Sequence, residues 1–418
     1  MVLFKNIGQL VTVGGKTPKR GPKMDELNTI NAAYLIEEKG KIVDYGRKDK
    51  KIDERDFEKI VDVEGKVMMP GFVDPHTHFV FAGDRSQEFK MRLKGIPYID
   101  ILKKGGGILS TVKSTRRASK NELYNLSKKR VDKFLSFGVT TVEGKSGYGL
   151  DKKTELKQLE VMRELDNEKE IDIVSTFLGA HAVPKRYKNN SSEYIDYIIE
   201  EVMPGVAEKK LAEFCDVFCD DGAFSYQESE KLLKAAVQLG FKLKIHADEI
   251  VNTEASQLAG RLNVVSAEHL LKASEEGLNS LRENEVIAVL LPLTAFSLQE
   301  KYADARKMIE MGIPVALATD LNPGSSYSQS IPLLLSLAVM YMDMTPKETI
   351  TALTINAACA LNKGDVIGSI EKGKRADLLV IDAPDYNHLF YNFGVNLVEK
   401  VFKNGNLVLD NNLSKRRI

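Results

Sequence analysis

The 418-residue chain has six histidines, and two of them stand one residue apart in PGFVDPHTH (70–78). His76 and His78 follow an apolar run, so on an extended strand their side chains share one face. Two imidazoles on one face make a poor core, because each ring needs a hydrogen-bond partner, but they make good ligands for a divalent metal. A hydrogen-bonded surface pair is the plainer alternative. Two further residues bear on the choice: His246 closes the apolar run in KIHADE, and Asp320 closes the one in ALATDLNPG. Singly, a satisfied core histidine and a helix N-cap account for them. Together, three imidazoles and one carboxylate form a ligand set that suits Zn2+ or Fe2+.

These residues could meet only if a larger architecture brought them together. From about 70 to 322 a short apolar, β-branched run ending in a polar residue recurs eight times: 71–78, 138–149, 171–181, 214–224, 241–249, 262–269, 285–292 and 313–322. Continuous apolar runs indicate strands buried on both faces. Between them, stretches such as 152–166 and 192–208 carry helical apolar spacing. Eight strand-then-helix units predict an α/β fold, a (β/α)8 barrel with its chemistry at the C-terminal strand ends. The polar residues cluster at those ends.

The flanks differ. QLVTV, AAYLIEE, KIVDYG and KIVDVEGKVMM precede the barrel, and KRADLLVIDAP and EKVFKNGNLVLD follow it. We expect residues 1–68 and 365–418 to pair into one small β-sandwich, and 69–364 to form the barrel. The segment between the first two barrel strands is long. It contains KKGGGILS (103–110), whose glycines suit a lid over the barrel mouth better than a phosphate cradle, since no Lys-Ser/Thr follows.

Lys+Arg and Asp+Glu both number 59, so no global field favours nucleic acid or an anionic membrane. The N-terminus lacks a secretory pattern, and the longest apolar run, near 331–342, is too short to span a bilayer. Cys215, Cys219 and Cys359 are too few for a disulfide framework and suit a reducing cytoplasm. The first two read as buried thiols rather than a zinc knuckle. No GxGxxG or Walker-type loop suggests an organic cofactor.

PGFVDPHTH, His246, the histidine at the sixth strand end (His269), Asp320 and GKRADLLVID together resemble the metal-dependent amidohydrolase superfamily over nearly the whole chain. Within it, Arg85, KSGYGL (145–150), FLGAHAVP (177–184), HADE (246–249), SAEHL (266–270) and TDLNPGSS (319–326) resemble the imidazolonepropionases of histidine degradation. That resemblance implies a homodimer acting on 4-imidazolone-5-propanoate, a cyclic amide with a propionate tail. Strand four ends CDDGAF without the lysine that bridges two metals in binuclear members, so one metal is expected, on His76, His78, His246 and Asp320.

Asp320 would take a proton from water, and His269 would hydrogen-bond that water or polarise the carbonyl. Glu249 would shuttle a proton to the leaving nitrogen, or instead orient a ligand histidine. Arg85 would fork onto the propionate, with Tyr148, His181, Glu249, Asn322, Gly324 and Ser325 as further substrate contacts. Taken alone, Arg85 reads as a surface ion pair, Tyr148 as a turn residue and 322–325 as an Asn-Pro-Gly turn. Gly144 departs from the family, where a larger β-former is expected, and would loosen strand two. His388 receives no role. The rival readings are a cytosine- or guanine-type deaminase, which would need no carboxylate-reading set, and a non-catalytic scaffold, which would shed ligands.

Overall fold

A computed structural model describes residues 1–49, 52–96, 100, 105–168 and 170–412. Lys103 and Lys104, at the start of the expected lid loop, lie outside these residues. The chain opens with β1 (Val2–Val11), β2 (Thr29–Glu38), β3 (Lys41–Arg47), β4 (Lys59–Asp62) and β5 (Val67–Pro70). The barrel strands follow: β6 (Phe72–Asp74), β7 (Val139–Lys145), β8 (Asp172–Ala180), β9 (Phe214–Cys219), β10 (Lys242–Ala247), β11 (Ser266–His269), β12 (Ile287–Leu290) and β13 (Val315–Leu317). The chain closes with β14 (Leu378–Ile381), β15 (Val398–Lys403) and β16 (Asn406–Asp410).

All eight expected barrel strands are present, in sequential parallel order. Each is shorter than its apolar run, because the polar tail of the run leaves the ladder and becomes a loop at the mouth. The two ends of the sheet meet through backbone bonds just beyond β6 and β13. Asp320 N–H donates to the His76 carbonyl (3.0 Å), and His78 N–H donates to the Leu321 carbonyl (2.8 Å). Closure therefore sets the first and eighth strand ends side by side. Asp74 reinforces it, its carboxylate accepting from Thr319 N–H (3.1 Å) and the Thr319 hydroxyl (2.6 Å).

The second sheet draws strands from both chain ends, in the order β16-β15-β14-β5-β1-β2-β3, with β4 also on β1. Its centre is buried on both faces, and the period of two decides which core each residue joins. Val67, Met69, Leu379 and Ile381 face the barrel, whereas Met68, Leu378 and Val380 face a separate core. Phe4 on β1 meets Phe402 on β15 edge to face, with ring centroids 5.0 Å apart, although β14 and β5 lie between those strands in the sheet. The sheet thus folds over at the irregularity between Phe4 and Ile7 of β1 and closes on its own core. The turn residues between the flanking runs suggest antiparallel pairing throughout, but the flanking strands are not all antiparallel. β1 runs parallel to β4 and β5, because the chain crosses over before it returns.

The long segment after β6 carries helices at Ser86–Leu93, Ile108–Arg117 and Lys120–Ser136. The expected helix at 152–166 is present as Lys152–Asp166. That at 192–208 is divided by a widened turn at Ile198–Val202, next to Pro204, which has no N–H to donate. Gly144 finds a physical reason. A β-carbon there would lie 2.7 Å from Phe79 and 3.0 Å from the Met162 sulfur, so neighbouring side chains fill the space a larger residue would need. Among the described residues no helix is long and apolar enough to cross a membrane.

Candidate metal centre and substrate pocket

His76, His78, His246, His269 and Asp320 converge on one point at the C-terminal mouth of the barrel. One nitrogen from each of His76, His78 and His246 lies within 4.8 Å of the others, and His76, His269 and Asp320 form a second such group. Asp320 Oδ1 is 3.4 Å from His76 Nε2 and 3.5 Å from His78 Nε2. The His76 and His246 ring centroids are 4.6 Å apart.

The donor set fits a cation. Asp320 Oδ1 and His246 Nε2 are buried without a hydrogen-bond partner among the described residues, a condition native interiors rarely tolerate. His76 Nδ1 is 3.0 Å from Glu268 Oε2, which commits that nitrogen as donor and leaves the Nε2 lone pair facing the cluster. Burial and Lys145 press the His76 imidazole towards neutrality, yet Glu268 and Asp320 outweigh them and raise it to about 9, so a proton competes with a cation for Nε2 at neutral pH. Burial, with His181, His76 and His246 nearby, drives His78 well below the usual imidazole range. Burial also lowers His269. Asp320 stays well below the carboxylate range despite burial, because His76, His269 and the Thr294 hydroxyl, which donates to Oδ2 at 2.6 Å, stabilise its charge.

The backbone at two of these residues is left-handed, with φ 73° at His269 and 50° at Asp320. Such conformations cost about 1–3 kcal/mol each in non-glycine residues and concentrate at functional sites. At His269 the turn breaks strand alternation, so Glu268 points into the barrel and His269 into the mouth.

Glu249 reaches the same space, its Oε1 3.4 Å from His269 Nδ1. Its loop is clamped from beneath. Asp220 accepts from the N–H groups of Glu249 (2.7 Å), Ile250 (2.8 Å) and Val251 (3.1 Å). Burial, then Asp320 and Asp220, push the Glu249 carboxyl up to about 8. His181 stacks on His78 with centroids 4.8 Å apart, and Tyr148 sits 5.3 Å from His181. Burial followed by His246 lowers His181 to about 3, leaving a neutral ring that faces the site. The Tyr148 loop is clamped by Glu155, which accepts from Gly147 (2.9 Å), Gly149 (2.8 Å) and Leu150 (2.7 Å).

Arg85 is pre-oriented. Its Nε and Nη2 each lie 2.8 Å from Glu88 Oε2, and the other Glu88 oxygen accepts from Gly107 N–H at 3.0 Å. One edge of the guanidinium is therefore already engaged by the ion pair that the local sequence suggested, largely buried rather than on the surface. The Nη1 corner abuts Gly324. Asn322 organises that turn, accepting at Oδ1 from Gly324 and Ser325 N–H at 2.8 Å each. Those two backbone donors serve the turn in this state. A β-carbon on Gly324 would lie 2.1 Å from Arg85 Nη1. Because that atom ends a flexible side chain, Gly324→Ala is expected to swing Arg85 aside rather than unfold the protein. The expected result is a KM raised by roughly 10–100-fold, the worth of charged hydrogen bonds, with an unchanged melting temperature. A lower melting temperature at unchanged KM would contradict this.

Several residues here escaped sequence reading: Asp74, Glu155 and Asp220, and a charged layer under the mouth made of Glu143, Lys145, Asp216, Lys244 and Glu268. A signal existed for the layer. Glu143 and Lys145, like Lys244 and His246, are two apart on their strands, so each pair shares one face.

A model of the amidohydrolase family matches residues 67–408. The imidazolonepropionase of Clostridium tetani is 53% identical over 410 residues, covering 97% of this chain and 98% of that protein. That of Alkaliphilus oremlandii is 51% identical, covering 98% of each. The chain belongs to the imidazolonepropionase branch of the amidohydrolase family. Membership makes it a hydrolase of a metal-dependent family. Among solved structures, an adenosine deaminase from Xanthomonas campestris with bound zinc superimposes at TM-score 0.72 and 18% identity, over 97% of this chain and 92% of that one. A guanine deaminase from C. acetobutylicum superimposes at 0.69 and 17%, over 97% and 99%. Those two similarities concern the fold, which imidazolonepropionases share with deaminases of free bases and nucleosides.

Proposed function

We propose that the chain hydrolyses the ring amide C–N bond of 4-imidazolone-5-propanoate to N-formimidoyl-L-glutamate, with one Zn2+ or Fe2+ held by His76, His78, His246 and Asp320. The observation that carries this reading is Asp320 Oδ1 and His246 Nε2, both buried without a hydrogen-bond partner among the described residues, in two ligand groups that share His76. A divalent ion bound there makes an attacking water acidic near neutral pH and polarises the carbonyl. Asp320 accepts the water's proton. Its Oδ2 is anchored by Thr294, which leaves Oδ1 directed at the cluster. His269, neutral and hydrogen-bond competent, steadies the developing oxyanion. Glu249, holding its proton below about 8, delivers it to the ring nitrogen as the C–N bond breaks. Asp320 ends the step protonated and Glu249 ionised, and return of the proton from Asp320 to Glu249 resets both residues, with one water consumed.

Arg85 takes the propionate carboxylate, and the neutral His181 and Tyr148 form a wall against the flat ring. We further expect a cytoplasmic homodimer. The test of the reaction is formimidoyl-glutamate formation by the pure protein before and after a chelator. Loss on chelation and return with Zn2+ or Fe2+ are expected, and turnover of free bases without turnover of imidazolonepropionate would overturn the reading. The test of the substrate contact is Arg85→Met. It is expected to raise KM by about 10–100-fold for the carboxylate substrate and to leave the propionamide analogue nearly unchanged. An equal loss on both would remove Arg85 from the carboxylate.

A further inference from the structure

TIM-barrel interiors are usually filled by layers of branched apolar side chains. One layer here is ionic. Glu143 and Lys145 on β7, Asp216 on β9, Lys244 on β10 and Glu268 on β11 are each 0% exposed. Two ammonium groups and three carboxylates have been taken out of water, an arrangement that apolar side chains of similar volume often match or better for stability. Stability therefore does not explain the layer, but its connections do. Glu268 Oε2 lies 3.0 Å from His76 Nδ1 and 3.1 Å from Lys145 Nζ. Asp216 Oδ2 lies 3.0 Å from His246 Nδ1 and 2.8 Å from Lys145 Nζ. The same two oxygen atoms that face the histidines also face one ammonium. His76, Glu268, Lys145, Asp216 and His246 thus form an arch of close polar contacts beneath the candidate metal centre, in which Asp216 meets His246 Nδ1 at ion-pair distance without hydrogen-bond alignment.

We propose that Lys145 is a positioning residue for the metal centre, a built-in cation that sets the orientation of His76 and His246 together through Glu268 and Asp216. This rests on the metal reading above. Lysine suits the place. Its ammonium donates in three directions, and its third donor goes to Glu143 Oε1 at 3.1 Å. Lys244 braces the far side, lying 3.3 Å from Glu268 Oε1 and 3.2 Å from Glu143 Oε2, and 3.3 Å from the carbonyl of Pro75, the residue before His76. Among the described residues Glu143 hydrogen-bonds Lys145, Lys244 and Thr176 but no histidine, although one of its oxygens lies within 4.8 Å of a His76 nitrogen, so it is equally buried and equally charged yet does not orient a ring directly.

That difference supplies the control. Zn2+ affinity is measured by competition with a chromogenic chelator on the full-length metal-stripped protein, with the melting temperature of the metal-free form and the visible absorption of the Co2+-loaded form alongside. Glu268→Gln and Asp216→Asn are each expected to weaken Zn2+ binding by about 10–100-fold and to alter the Co2+ spectrum, the usual scale for groups that orient ligating histidines. Lys145→Met is expected to weaken it at least as much. Its effect should largely overlap that of Glu268→Gln in the double variant, because both act through one arch. Glu143→Gln is expected to lower the metal-free melting temperature comparably while keeping the affinity and spectrum of the natural protein. If Lys145→Met does not fold, Lys145→Gln is used, together with the two carboxylate variants. Affinity and spectrum in Lys145, Glu268 and Asp216 variants that match those of Glu143→Gln would overturn the proposal. Failure of the natural protein to bind Zn2+ at all would instead overturn the metal reading on which it rests.

Discussion

Replacing Asp320 with alanine is expected to lower kcat/KM by at least about 10³-fold, equivalent to roughly 4 kcal/mol of transition-state stabilisation. The size follows from the two tasks meeting at one carboxylate. Oδ1 faces His76 and His78 as a candidate ligand, and the same group is the proposed base for the water's proton. The substitution also leaves the Thr294 hydroxyl without its acceptor in a buried site. Asp320→Asn separates the tasks, since the amide keeps an oxygen that can ligate but is a very poor base. Bound metal in near-stoichiometric amount with a rate still down by two orders or more is the expected pattern. Activity of Asp320→Ala close to that of the natural protein would refute the mechanism outright.

Glu249→Gln carries the second large expected effect, about 10²–10⁴-fold in kcat/KM, because it removes the proposed acid for the leaving nitrogen. The sign of the pH dependence follows from burial. A carboxyl pushed up to about 8, first by burial and then by Asp320 and Asp220, keeps its proton through neutral pH and ionises as pH rises through that value. The natural protein should therefore lose kcat/KM above about pH 8, and the glutamine variant should lose that limb of the profile together with most of its rate. The alternative role, in which Glu249 merely orients His269 across their 3.4 Å contact, predicts a milder loss, since glutamine can keep that contact. A glutamine variant with near-natural rate and an unchanged basic limb would assign Glu249 to orientation.

Much of the site can be read in the sequence because barrel chemistry is local to strand ends. The position of a polar residue after an apolar run places it at the mouth, and alternation tells which residues on one strand share a face. His76, His78, His246, His269 and Asp320 were all identifiable in that way, as were the eight strands and the composite sheet from the chain ends. What linear order does not contain is the partner of each group. His76 meets Glu268 across 192 positions of sequence, Lys145 meets Asp216 across 71, and Asp74 reaches Thr319 across 245.

Those pairings depend on how the strands are staggered when the barrel closes, which hydrophobic pattern alone leaves free. The electrostatics then follow from distance and burial rather than from residue type. Glu249 is held up by its surroundings and Asp320 is held down by its own, although both are carboxylates at strand ends. Space behaves in the same way. Gly144 looked like a weak point in a strand and proved to be where Phe79 and Met162 pack. The chain by itself therefore determined the candidate ligand types, the strand ends that carry them and the family it belongs to. The closed barrel decided which buried charges hold which rings, because a side chain in a low-dielectric interior is defined by its nearest neighbours in space.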